Sequence, residues 1–281
     1  MNRQLDRRKY TVGYWLSRII LLLLLALTFF PLLALINMSL KSTLMIQLDF
    51  LGLPSPIEIK NYANAAVFII RPVLNSLYIS GISVVGILIL VALSGYAFGR
   101  MYFHGKEALY TSLLILMMIP YTLLIVPSYQ LVNSLGWVNS YKALIIPYIA
   151  GNQIFGIMLA RSFFQSMPDD MFESAKIEGA GEGYMFIRIA LPLSVPVLIT
   201  VGITSLIGIY NDYIWPALVI SGNDKVKTFC QIAYNSAAGN GGTDLGLLTA
   251  AFVIGTIPLV AITASCLRFY LQGMLEGAIK G

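Results

Sequence analysis

Long stretches of this chain contain no Asp, Glu, Lys or Arg at all, among them Pro72 to Gly99, Ala108 to Tyr141 and Leu245 to Leu267. A mostly apolar run of about 20 residues crosses a bilayer as a helix, because in hydrocarbon every backbone N–H and C=O must find its partner inside the segment. Reading the whole chain for such runs predicts six spans, at about 17–39, 73–99, 108–132, 142–164, 190–220 and 245–270. Transmembrane β-strands would alternate polarity over about ten residues, whereas Leu21 to Leu25 and Ile87 to Val91 are continuously apolar. Composition agrees, with 58% hydrophobic and 11% charged residues against roughly 25% charged in soluble domains. The expected fold class is all-α, a polytopic membrane protein of six transmembrane helices.

Arg3, Arg7, Arg8, Lys9 and Arg18 precede the first apolar run, as they would in a signal peptide. The run from Ile19 to Met38 is longer than a signal core, and no small-residue cleavage pattern follows it before Lys41, so the first helix is expected to stay as an anchor. Cytoplasmic loops hold the excess of Lys and Arg. With the N-terminus inside, the inner segments hold twelve of these residues and the outer segments six. Both termini are therefore expected to be cytoplasmic: 1–18 as an N-terminal segment, 19–270 as the transmembrane domain, and 271–281 as a tail. The net charge of +5 follows from this topology and does not call for a nucleic-acid partner. Cys230 falls in an outer loop and Cys266 near the inner end of the last span, so they are not expected to pair.

The longest connections are the outer loop from about Leu40 to Arg71, with its Pro54-Ser55-Pro56 turn signal, and the inner loop 165–189. Pro120, Pro127, Pro147, Pro192, Pro196, Pro216 and Pro258 are expected to kink the spans. Such breaks are tolerated where neighbouring helices or an aqueous cavity satisfy the freed carbonyls. Gly179, Gly181 and Gly183 superficially suggest a phosphate loop. Tyr184 and Met185 follow where a Walker loop needs Lys-Ser/Thr, and no strand precedes, so nucleotide binding by this chain is excluded. His104 is the sole histidine and has no ligand partners nearby in sequence, and Asn37-Met38-Ser39 sits at the end of a span. No catalytic constellation, metal or cofactor is expected in the chain itself.

The inner loop carries the information. Pro168, Asp169 and Asp170 suit a helix's first turn, Ser166 can cap it, and Gly179 or Gly181 can end it in a left-handed conformation. A helix this short is marginal alone and must pack on something. Phe172, Ala175 and Gly179 lie on one stripe, with Glu173 and Ile177 beside it.

Glu173-Ser174-Ala175, then Gly179, then Ile189-Ala190-Leu191-Pro192 resembles the EAA loop of bacterial ABC-importer permeases, with Ser174 for the usual Ala and Glu178 for the usual Asp. Further segments resemble the carbohydrate, maltose-type branch and its smaller membrane subunit: Asn75-Ser76-Leu77, Gly95-Tyr96-Ala97-Phe98-Gly99-Arg100, Met117-Met118-Ile119-Pro120, Arg161-Ser162-Phe163-Phe164, Asn211-Asp212-Tyr213-Ile214-Trp215-Pro216 and Gly277-Ala278-Ile279-Lys280-Gly281. The resemblance covers roughly residues 31 to 281. Tyr210 departs from it, since the family commonly has Trp before the Asn-Asp pair.

The resemblance implies a permease subunit that imports a sugar or oligosaccharide across the bacterial cytoplasmic membrane by alternating access. Its implied partners are a second homologous permease, two cytoplasmic ATPase subunits that bind ATP and Mg, an extracytoplasmic solute-binding protein, and membrane lipid. Phe172, Glu173, Ser174, Ala175, Ile177, Glu178, Gly179 and Ala180 would form the coupling helix in an ATPase cleft. Glu173 would meet a basic residue there, in a contact worth roughly 1.5–3 kcal/mol. The tail Gly277, Ala278, Ile279, Lys280 and Gly281 would reach between the ATPases. The solute pathway would draw on Asn152, Gln153, Tyr210, Asn211, Asp212 and Tyr213, polar and aromatic residues on kinked spans, with Asp212 the only carboxylate within a span. A polyol or glycerophosphodiester-like solute is the alternative within this class. A secondary transporter would need more intramembrane charges, and an intramembrane enzyme a catalytic pair that the spans lack.

Overall fold

The computed structural model describes residues 12–238 and 244–278. Its helices are α1 (Val12–Ser39), α2 (Thr43–Leu48), α3 (Lys60–Arg100), α4 (Lys106–Met117), α5 (Tyr121–Ser134), α6 (Lys142–Gly151), α7 (Gln153–Gln165), α8 (Asp169–Ile177), α9 (Glu182–Met185), α10 (Leu191–Leu193), α11 (Val195–Asn211), α12 (Ile214–Val219), α13 (Phe229–Ala238) and α14 (Leu245–Ala278). A π-helical turn, Phe186–Ala190, joins α9 to α10. No strand occurs among the described residues.

Gly13–Ser39, Lys60–Arg100, Lys142–Gln165 and Leu245–Leu267 are each long and apolar enough to cross a membrane. Two bent pairs, Lys106–Met117 with Tyr121–Ser134 (99°) and Glu182–Leu193 with Val195–Asn211 (70°), bring the total to six among the described residues if each is one span. Pro120 explains the first bend. It lacks an N–H, disfavours helix in the residue before it, and stands as the N-cap of α5 with φ −58°. Pro192 and Pro196 flank the second bend. Pro127, Pro147 and Pro258 instead lie inside continuous helices, and Pro216 inside the short α12. A proline in these spans therefore does not by itself mark a break.

Contacts divide the chain into two units. The first takes the described residues up to Val67 together with those from Asp244 to Ile254. In it α1 is unburied along its whole apolar window. Lys41 is buried, and its Nζ donates to the carbonyls of Asp49 (2.9 Å) and Phe50 (3.2 Å). Asn61 donates to the carbonyls of Ser39 and Lys41. Asp244 caps α14 by accepting from the N–H groups of Gly246 and Leu247.

The second unit takes Phe68 to Ala238 and Gly255 onward, and its core includes Ile87, Val91, Tyr96, Leu144, Ala160, Phe164 and Trp215. Small residues set the helix spacing, as is usual in membranes. A Cβ on Gly95 would lie 2.6 Å from Cβ of Ala160, and one on Gly99 2.8 Å from Cβ of Phe164, so α3 and α7 approach closely along this edge. Asn75 donates to the carbonyls of Lys225 and Lys227, both at 2.9 Å, and Ser76 Oγ accepts from the N–H of Phe229. This gives the Asn75-Ser76-Leu77 segment its structural task.

Candidate functional site

Two places in the second unit bring sequence-marked residues together. The first surrounds α8. Its N-cap is Pro168, with Asp169 and Asp170 in the first turn. Ser166, a cap candidate from the sequence, is used otherwise: α7 runs to Gln165, and Ser166 Oγ donates to the carbonyl of Phe163. Gly179 has φ +84°, its N–H donates to the carbonyl of Lys176 (3.0 Å), and that of Ala180 donates to Ala175 (2.9 Å). These are the paired bonds of a Schellman ending, which stops the helix and aims the chain away.

Phe172 is buried and Ala175 and Ala180 are half-buried, while Glu173, Ser174, Glu178 and Gly179 are exposed. Ile177 is 87% exposed. The inner face of α8 is held by Arg100, the last residue of α3. Its guanidinium pairs with Asp169, donates to the carbonyl of Met167, and lies 4.3 Å above the ring of Phe172. Tyr96, one turn earlier, donates to Glu182 (3.0 Å) and packs on Phe164 and Phe186. Arg161 of α7, nearly buried, pairs with Glu107 of α4 (2.8 Å) and stacks on Tyr110 (3.7 Å). In the sequence Arg100, Tyr96 and Arg161 stood out only within motif segments and, for the two arginines, in the charge count, with no task assigned to their side chains.

The second place is a cavity of about 230 Å³ between α5, α6 and α11. Tyr121, Tyr148, Asn152 and Asp212 supply its polar groups, and Gly151 and Gly208 leave it room. Asp212 is not inside a helix. α11 ends at Asn211, Asp212 turns extended (ψ 127°), and α12 begins at Ile214. Asp212 Oδ1 accepts from the N–H groups of Ile214 (2.9 Å) and Trp215 (3.4 Å), and Oδ2 accepts from Tyr148 Oη (2.9 Å). The Asn152 amide donates to the carbonyl of Tyr148.

The other pathway candidates lie elsewhere. Tyr210 is fully buried, donates to the carbonyl of Gly255 (2.6 Å) and packs on Phe229. Its departure from the family's Trp thus falls on a packing position outside this cavity. Tyr213 stacks on Tyr234 at 4.4 Å, Asn211 is exposed, and Gln153 donates to the carbonyl of Ala150. Sequence reading missed Tyr148 and Tyr121, although Tyr148 precedes Asn152 by one helical turn. Of the tail, Gly277 and Ala278 end α14, and Ile279, Lys280 and Gly281 lie outside the described residues. No cluster of three or more metal-ligating side chains occurs among the described residues.

Residues 95–275 match the family of binding-protein-dependent transport system inner membrane components. The chain belongs to this family. The permease is 30% identical over 268 residues to the diacetylchitobiose uptake system permease protein NgcG of Streptomyces coelicolor, covering 94% of this chain and 88% of that one. It is also 30% identical to the trehalose/maltose transport system permease protein MalG of Thermococcus litoralis, over 74% of each chain. A solved bacterial ABC transporter involved in the import of the acidic polysaccharide alginate shares the permease's fold, with a TM-score of 0.81 at 19% identity, over 94% of this chain and 98% of that one. The MetNI methionine transporter in an inward-facing form matches at TM-score 0.57 and 18% identity, over 73% of the permease and 96% of that chain. The permease is thus a multi-pass inner-membrane subunit of an ABC importer, a transport component without catalysis of its own.

Proposed function

We propose that this permease passes a sugar or oligosaccharide into the cytoplasm, and that α8 is the element through which ATPase subunits drive it. The single observation that carries the reading is the pairing of an outward face with a fixed inner face on one short helix. Ile177 and Glu173 are uncovered, while Phe172 and Asp169 are tied to the end of a 41-residue helix by Arg100. A helix of 9 residues does not persist unaided, and an apolar side chain left uncovered at its end fits a groove on a partner.

In this reading both termini and α8 face the cytoplasm, and two ATPase subunits hold ATP and Mg. A second permease completes the translocation path and an extracytoplasmic binding protein delivers the solute. Closure of the ATPases moves α8, and Arg100 carries the movement into α3. The names of the relatives, for diacetylchitobiose, trehalose/maltose and arabinooligosaccharides, support a sugar as solute. Asn152 and Asp212 are assigned to the solute path, and the tail 277–281 to contact with the ATPases.

The test is co-purification with the ATPase and second permease, comparing wild type with a Glu173→Ala, Gly179→Asp double variant. Recovery of ATPase with the membrane subunits should fall about tenfold or more, since a charge-assisted contact is lost and a side chain is forced into a left-handed turn that strains it. Unchanged recovery and unchanged stimulated ATP hydrolysis would remove α8 from the docking role.

A further inference from the structure

The cavity beside Asp212 has an uneven chemistry. Its polar groups are a carboxylate, a side-chain amide and two phenols, and no Lys, Arg or His is among the described residues that line it. One N–H of the Asn152 amide is already directed to the carbonyl of Tyr148, which leaves the amide oxygen and the second N–H unused. Tyr148 spends its hydroxyl proton on Asp212. What remains available is weighted toward acceptors: a lone pair of Asp212 Oδ2, the Asn152 oxygen and the Tyr148 oxygen, against one N–H of Asn152, with Tyr121 able to accept or donate. Such a set suits a solute rich in hydroxyl donors, whose rings can also lie against the phenol faces.

We propose that this cavity discriminates by charge, admitting neutral polyhydroxylated solutes and rejecting anionic sugars, with Asp212 as the specificity-determining residue. The inference rests on the reading that the cavity belongs to the solute path. A carboxylate held about 6 Å from Asp212 at the effective dielectric of a partly buried site would be disfavoured by roughly a hundredfold in affinity, and no lining cation offsets this. The solved importer of acidic alginate shares the fold, so the architecture does not dictate the charge of the solute. That leaves the lining residues of each member free to do so at the membrane step.

The experiment uses the complete transporter in proteoliposomes with a saturating amount of its binding protein. The probes are neutral disaccharides (trehalose, maltose and diacetylchitobiose) and, for whichever is imported, the same sugar oxidised at a primary hydroxyl to the uronic acid. The measured quantity is the ratio of neutral to uronate uptake. Every variant is served by the same binding protein, so a change in that ratio reports the membrane cavity. Asp212→Asn removes the charge but keeps an oxygen able to accept from the N–H groups of Ile214 and Trp215, and should narrow the ratio about a hundredfold. Asn152→Asp adds a second carboxylate without touching that cap and should widen it. It keeps the test open if Asp212→Asn does not assemble. An unchanged ratio in an assembled variant, or wild-type import of the uronate as fast as the neutral sugar, would overturn the charge filter and leave the sugar reading standing. If wild type imports none of these sugars, the sugar reading itself fails before any variant is compared.

Discussion

The thiol of Cys230 is pushed up to about 11, first by burial and then by the carboxylate of Asp212. Cysteine reacts as the thiolate. A raised value leaves less thiolate at any pH below it, so maleimide labelling at pH 8 should run roughly a hundredfold slower than at an unperturbed thiol. The rate should keep climbing with pH through 10 rather than level off near 9. In a Cys266→Ser background, Asp212→Asn should speed labelling of Cys230 at pH 8. Equal rates in the two proteins would mean that the carboxylate does not act on the thiol. At this scale the sequence was legible where a residue type is rare in its setting: Asp212 was marked as a charge amid apolar residues. Its partner Tyr148 was not, because the two lie 64 positions apart and tyrosine is common throughout this chain. Tyr210 shows the converse, since a neighbour of a marked residue points the other way once a helix is formed.

Among elements, α8 was readable because its signals are local, namely proline and two acids at its start and glycine at its end. Ser166 was misassigned for a physical reason: α7 continues to Gln165, so the serine serves the end of one helix rather than the beginning of the next. Hydropathy gave no direction to the bent pairs, because apolar content has no angle. The contact of α3 with α7 was invisible for the same reason. Gly95 sits against the Cβ and backbone of Ala160, where added atoms have no space to occupy. Gly95→Val should destabilise the assembled permease by about 1–3 kcal/mol, as overpacking does. Thermal unfolding of the detergent-solubilised complex checks this, and a midpoint equal to wild type would contradict the close approach.

For the whole molecule the question is whether ATP hydrolysis and transport stay joined. Arg100 holds α8 through Asp169 and the Phe172 ring, and the residue before its cap through the Met167 carbonyl. Asp169 is mostly exposed, so the ion pair itself adds little. Arg100→Met should leave ATP hydrolysis near wild type and lower sugar uptake per ATP about tenfold, through the lost carbonyl bond and ring contact. Arg100→Lys should recover only part, since an ammonium cannot reproduce the planar fork. Uptake and hydrolysis falling together would mean that the subunits have separated rather than uncoupled. Beyond α8 the chain enters the π-helical turn Phe186–Ala190 before the prolines of α10 and α11. A wide turn holds one residue more than an α-turn in its place. Drawing that residue into regular helix would rotate everything on one side by about 100° against the other. The segment therefore stores a single notch of slack, as a ratchet does. A deletion of one residue here should be absorbed, whereas the same deletion within α11 would turn its buried face outward.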